Sequence, residues 1–315
     1  MRGKERQTQR GGWKEDYIKA KQNTGETAVG LMEFMQGMAG DVKRNQLKTW
    51  LKYNQVMING IVTRQFDAPV EPGQWVEINF TRPFVVFSHH RMSIVYEDDH
   101  IIVVNKGYGL LSMGTDSVRK DETAYAILKE YDKRKHPMNK IFIIHRLDRD
   151  TSGLMMFAKS MEAKEAMQHN WNNMVISRNY VAVVEGVVEQ KSGVIRSWLN
   201  ETSQYEVYST QEEGNGQLAI TRYNVLDAGH GYSLVEFSLD TGRKNQIRVH
   251  AAQELKHPIV GDRKYGAASS PIHRLALHAR TLRFAHPITR EDMNFELPIP
   301  SRFAGLVKYG TNKNK

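Results

Sequence analysis

The 315-residue chain has no cysteine. That absence removes disulfide frameworks, Cys-ligated zinc, iron–sulfur clusters and every thiolate nucleophile. No run approaches the ~20 apolar residues of a membrane span. The mean hydropathy is −0.55, and the N-terminal MRGKERQTQRGGWK lacks the apolar centre of a signal peptide. A soluble, cytoplasmic protein is expected. GxxxxGK[ST] and HExxH are both missing, and none of the twelve histidines pairs with another at helix-face ligand spacing beside a carboxylate. Gly214-Asn215-Gly216-Gln217-Leu218-Ala219 fits a loose dinucleotide fingerprint, but it follows the polar QEE instead of a strand and reads better as a hairpin turn. Neither a metal nor a cofactor is therefore expected. What is present is a globular composition, 40% hydrophobic and 25% charged, with length for one large domain or a medium and a small one. The net charge of +9 is the balance of a protein that meets a polyanion.

Residues 1–26 carry seven Lys or Arg and four acidic residues with almost no apolar spacing, and read as a basic, flexible leader. From Thr27 the pattern changes. Leu31, Phe34, Met35 and Met38 recur at helical spacing, with Gly37 and Gly40 marking the end. In the next predicted helix Leu47, Trp50 and Leu51 form the apolar stripe, and Arg44, Lys48 and Lys52 stack beside it at four-residue intervals. QVMINGIVTR then places Asn59-Gly60 between two β-prone runs, a strong hairpin signal, and WVEINF follows as a strand. This order over residues 27–81 resembles a small αL-type RNA-binding module, which implies Arg44, Lys48 and Lys52 as phosphate contacts.

Residues 82–93 read as a linker, residues 94–300 as the main domain and residues 301–315 as a C-terminal tail. IVYEDDHIIVVNKGYGLLS opens the main domain and leads to Lys106, placed here among the RNA contacts. Beyond a helix through Ala124, Ile127, Leu128 and Tyr131, apolar segments dominate: IFIIHRL, GLMMFAKS, NYVAVVEG, GVIRSWL, QLAITRYNVL, YSLVEFSL and KNQIRVHAAQ. All seven are read as strands. An α+β fold on a large, mainly antiparallel mixed sheet is expected, beside the small α/β module.

IFIIHRLDRDTSGLMMFAK stands out, because a cation, a carboxylate and a tight turn between two apolar runs need partners if they are buried. From the residues alone, a salt-bridged turn is the simpler account. HRLDRDTSGLMMFAKS, however, closely resembles the signature of the RluA family of pseudouridine synthases. RNYVAVVEG (178–186) and LDTGRKNQIRVHAAQELKHPIVGDRKYG (239–266) resemble two further family segments in the same order, as does RLALHARTLRFAHP, so the resemblance runs from about Ile94 to Leu297.

The resemblance implies isomerisation of uridine to pseudouridine in RNA. Asp148 would be the catalytic aspartate, Tyr180 the aromatic group against the base, Arg248 the partner of Asp148, and Arg146 the side chain that fills the space left by a flipped nucleotide. The chemistry needs one ionised carboxylate and no cofactor, and a guanidinium fork held against it stabilises that carboxylate. The target base must leave its stack to be reached, and Tyr180 offers a flat face to hold it. Asn245, Gly107 and Met113-Gly114 depart from the family pattern, where His, Pro and His-Pro are frequent. The expected partner is ribosomal RNA ahead of transfer RNA, with the protein monomeric. Two other readings remain at this point: a catalytically inactive RNA-binding protein of the same fold, and an N-glycosidase using Asp148 and Asp150 as a pair on one strand face. A methyltransferase adding to uracil is excluded by the missing thiol.

Overall fold

The computed structural model describes residues 17–114 and 122–311. The chain divides into two compact units, with the boundary between Val86 and Phe87. Among the described residues no helix is long and apolar enough to cross a membrane.

The N-terminal unit contains β1 (Ile18–Gln22), β2 (Val29–Gly30), α1 (Leu31–Ala39), α2 (Arg44–Lys52), β3 (Val56–Ile58), β4 (Ile61–Val62), β5 (Pro69–Val70) and β6 (Trp75–Asn79). Its main sheet runs β1-β6-β3-β4, and β2 pairs with β5. Asn59 (φ 47°) and Gly60 (φ 75°) make the turn between β3 and β4 with both residues left-handed, the geometry that follows the twist of a two-residue hairpin. Leu47, Trp50 and Leu51 of α2 pack with Leu31, Met35, Val56, Val76 and Ile78, while Arg44, Lys48 and Lys52 stay exposed on the same helix. The leader is shorter than expected. Ile18–Gln22 pairs along its length with β6, from Ile18↔Asn79 to Gln22↔Trp75. An edge strand is held by backbone hydrogen bonds, which a polar composition does not reveal. Residues 1–16 lie outside the described residues.

The larger unit contains β7 (Met92–Glu97), β8 (Ile101–Lys106), α3 (Ala124–Lys135), β9 (Phe142–Ile143), β10 (Ser152–Ala158), α4 (Met161–His169), α5 (Trp171–Met174) and β11 (Val175–Glu185). It continues with β12 (Ser192–Glu201), β13 (Val207–Thr210), β14 (Gln217–Gly229), β15 (Tyr232–Leu239), α6 (Gln246–Val249), β16 (Leu277–Ala285), β17 (Asp292–Glu296) and α7 (Ser301–Tyr309). The strands form one sheet in the order β13-β12-β14-β15-β11-β16-β10-β8-β7, with β17 on β16 and β9 on β10. Every pairing is antiparallel except β10 with β16, which align in parallel at Ser152↔His278 and Gly153↔Ala279. Gly153 (φ 115°) is required there, because a Cβ would lie 2.1 Å from the Ala279 carbonyl oxygen.

Local sequence explains much of this. β10 reads SGLMMFA and is buried at all seven positions, as a central strand covered on both faces must be. Thr123 caps α3 by accepting from the Ala126 amide, and Ser160 caps α4 by accepting from the Ala163 amide. Three further features differ from expectation. The larger unit begins at Phe87, inside the expected linker, and Met92 is already a buried strand residue. Residues 301–309 are a helix, not a tail, since Phe303, Leu306 and Val307 enter the core with β11 and β15; each such side chain contributes about 1.5–3 kcal/mol on burial. KNQIRVHAAQ is helical: α6 continues into a wider turn over His250–Glu254, with Ile247 and Ala251 facing the core at the i, i+4 spacing of a helix. The Asn215-Gly216 turn leads into β14, but β13 and β14 both pair with β12, so it does not close a hairpin.

Candidate active site

The segment between β9 and β10 is an irregular connection, not the end of a long strand: only Phe142 and Ile143 pair. His145 through Asp150 are positioned by side chains. Ser112 clamps the backbone of Leu147, its Oγ donating to the Leu147 carbonyl (2.6 Å) and accepting from its amide (3.1 Å). The Thr151 amide donates to the Asp148 carbonyl (3.2 Å) and closes the turn. His145 Nε2 accepts from the Met156 amide (3.0 Å), and its ring packs on Trp171. Burial, with Arg178 nearby, lowers the His145 pKa to about 3, so it is a neutral acceptor that fastens the turn to β10.

Lys106 was placed by sequence among RNA-contacting residues, but it is fully buried. Its Nζ donates to the carbonyls of Leu110 (2.8 Å), Gly107 (3.0 Å) and Arg149 (3.2 Å). Burial pushes its pKa down to about 7, against the attraction of Asp148 and Asp150. Lys106 therefore ties the 107–110 loop to the turn from inside, and no phosphate can reach it. A lysine at the end of the apolar run IIVVN was the available clue.

Beside the turn lies a cavity of about 300 Å³ whose walls include Arg146, Asp148, Tyr180, Arg243, Lys244 and Arg248. It is at the small end of ligand pockets, which run from about 300 to 1,000 Å³. Tyr180 projects from β11 next to a bulge in its pairing with β16, and burial raises its hydroxyl above the ordinary value, with Asp148 adding to the rise against Arg178. It is a neutral phenol at physiological pH.

Arg248 is within reach of Asp148, Nη1 to Oδ2 at 3.7 Å. That is a charge contact and not a hydrogen bond. The bidentate fork goes elsewhere: Nε and Nη2 each meet the Asp262 carboxylate at 2.7 Å. Asn245 accepts from Nη1 (3.3 Å) and donates to the Tyr265 hydroxyl (2.9 Å), and the guanidinium lies 5.0 Å from the Tyr265 ring centre. Burial opposes the charge on Arg248, but Asp262 and then Asp148 raise its pKa above the ordinary value. The sequence reading missed Asp262, although it ends the apolar run PIVGD. Asn245 sits at φ 55°, a left-handed position asparagine tolerates.

Arg243 and Lys244 line the same cavity but are engaged outward. Arg243 Nε donates to the Leu218 carbonyl (3.0 Å), and Lys244 pairs with Glu201. Arg146 is exposed and has no hydrogen-bond or ion-pair partner among the described residues. Asp148 and Asp150 do not form a carboxylate pair on a strand face. They stand in a turn, where Asp148 lines this cavity and Asp150 lines another, which removes the geometric basis of the N-glycosidase reading.

Residues 100–253 match the RNA pseudouridylate synthase family model. The chain is 32% identical over 283 residues to an uncharacterized RNA pseudouridine synthase of Bacillus subtilis, covering 88% of this chain and 92% of that one. It is 32% identical to ribosomal large subunit pseudouridine synthase D of Pasteurella multocida, covering 85% and 87%. The solved structure of human RNA pseudouridylate synthase domain containing 4 superposes with a TM-score of 0.55 at 26% identity, covering 67% of this chain and 90% of that one. The chain belongs to the RNA pseudouridylate synthase family, in its RluA branch. It is an RNA pseudouridine synthase, an isomerase.

Proposed function

We propose that the protein converts one or a few uridines of ribosomal RNA to pseudouridine, with Asp148 as the acting carboxylate. The observation that carries this reading is one cavity that brings Asp148, Tyr180 and an Arg248 fixed by Asp262 together. Two acids stand near Arg248, and exposure separates their roles. Asp262 is 1% exposed and doubly bonded, whereas Asp148 is 30% exposed and open to a substrate. The isomerisation breaks the bond from ribose C1′ to N1, turns the base and joins C1′ to C5, with a proton leaving C5 and one gained at N1. It requires no oxidant and no energy source.

Asp148 acts on the flipped nucleotide, Tyr180 holds the uracil by its face, and Arg248 holds the Asp148 carboxylate in place by charge. Arg146, unengaged at the cavity edge, fills the gap left in the RNA stack. In the N-terminal unit Arg44, Lys48 and Lys52 take phosphates along one exposed face. Ribosomal RNA is supported by the relatives named for the ribosomal large subunit. The test is pseudouridine mapping of total RNA from cells with and without the gene, complemented with wild type or Asp148→Asn. Loss of pseudouridine in ribosomal RNA that only wild type restores is expected. Sites confined to transfer RNA would overturn the substrate, and restoration by Asp148→Asn would overturn Asp148.

A further inference from the structure

The turn that carries Asp148 is also a wall of a second cavity, of about 470 Å³, which the mechanism leaves unused. Tyr108, Arg149, Asp150, Arg263, His273 and Arg274 line it. Three guanidiniums share it with one carboxylate, and that carboxylate is already engaged: Asp150 accepts from Arg149 at 3.2 and 3.5 Å. Arg263 is exposed and has no acceptor among the described residues.

Arg274 is held without a carboxylate. It donates to Ser152 Oγ (2.7 Å) and to the carbonyls of Leu275 (3.0 Å) and Leu277 (3.3 Å), all neutral, through Nε and Nη2. Its Nη1 has no acceptor among the described residues. Burial is the main cause that lowers its pKa, to about 10, so it remains a cation at neutral pH. A half-buried guanidinium with no acid on it keeps its charge available to an anion that enters the cavity. Its plane lies 4.5 Å from the ring centre of Tyr108, which is itself 48% exposed. Cations beside an exposed aromatic ring are the combination that holds single-stranded nucleic acid, by phosphate and by base stacking.

Position supplies the rest. Asp148 and Asp150 are two residues apart, at most about 7 Å of chain, so the two cavities are neighbours on the scale of one nucleotide step. We propose that the second cavity binds the nucleotide flanking the target uridine, with its phosphodiester on Arg263 and Arg274 and its base on Tyr108. The assignment rests on the reading of the first cavity as the uridine site.

The test uses the full chain and a stem-loop transcript centred on the uridine found by mapping, assayed in single turnovers across a salt series. Arg263→Gln should flatten the log-affinity against log-salt slope by about 0.7, one single-strand phosphate contact, and Arg263→Lys should restore it. A methylphosphonate at the linkage flanking the uridine should flatten the slope for wild type but add nothing to Arg263→Gln, as shared partners require. Tyr108→Leu should raise the half-saturating RNA concentration about fivefold to a hundredfold, more than it lowers the saturated rate, and Tyr108→Phe should not. Wild-type slopes in Arg263→Gln with wild-type half-saturation in Tyr108→Leu would overturn the subsite while leaving the uridine site intact. A wild-type enzyme that converts no uridine would instead overturn the reading on which the subsite rests.

Discussion

Two sets of cations in this molecule are alike in sequence and opposite in physical state. Arg44, Lys48 and Lys52 of α2 are exposed along one helical face, free to follow a phosphate backbone and individually worth little to the fold. Arg248 has five contacts in the larger unit, two of them 2.7 Å hydrogen bonds to the buried Asp262 carboxylate. The first set supplies charge, the second supplies position. Net charge is the balance of a protein that meets a polyanion, but only packing shows which cation is held in one place.

The sharpest way to break this contrast is Arg248→Lys. An ammonium cannot keep the Asp262 fork and the approach to Asp148 together, so the single-turnover rate should fall about a hundredfold or more. Arg243→Lys should lose less, because Arg243 bonds a carbonyl of β14 and leaves Asp148 alone. Equal losses in the two variants would erase the distinction. Lys106→Met comes next. It strips a donor from three carbonyls, and chemical denaturation should show a loss on the order of 3 kcal/mol. The pH dependence has a definite sign. Burial lowers the folded pKa of Lys106 from 10.5 to about 7, so between these values the folded protein binds fewer protons than the unfolded one. Wild type should gain stability relative to the Met variant as pH rises through that window. A constant difference from pH 7 to 10 would show that Lys106 is not desolvated. The smallest effect on the fold belongs to α2: replacing Arg44, Lys48 and Lys52 by Gln should shift stability by no more than about 0.5 kcal/mol. The salt slope on structured RNA should nevertheless flatten by about two units, and an unchanged slope would move the grip to another surface.

The contrast also marks how far the sequence could be read. The Asn59-Gly60 turn, the two faces of α2, the apolar run of β10 and the HRLD segment were legible because each signal is local. Lys106 and Asp262 were not, since both depend on what the chain folds over them: Lys106 is named by three carbonyls up to 43 residues away. Had KNQIRVHAAQ been a strand, Arg243 and Arg248, five residues apart, would point to opposite faces. They do diverge, but through a left-handed Asn245 and a short helix, a geometry the apolar spacing of NQIRVH leaves open. β1 and α7 were missed for related reasons, one being held by backbone bonds to β6 and the other by a core formed from distant strands.

The parallel seam between β10 and β16 sets a clock for synthesis. Ser152 and His278, hydrogen-bonded at 2.8 Å across it, are 126 residues apart. At about 5–20 residues per second, the ribosome delivers the carboxylate-bearing turn roughly 6–25 s before the strand that closes beside it. Throughout that interval the apolar β10 has an open edge next to Gly153, the condition in which strands recruit wrong partners. The parallel neighbour of the turn-bearing strand is thus supplied late in synthesis, and until then the chain must keep that edge of β10 from other partners.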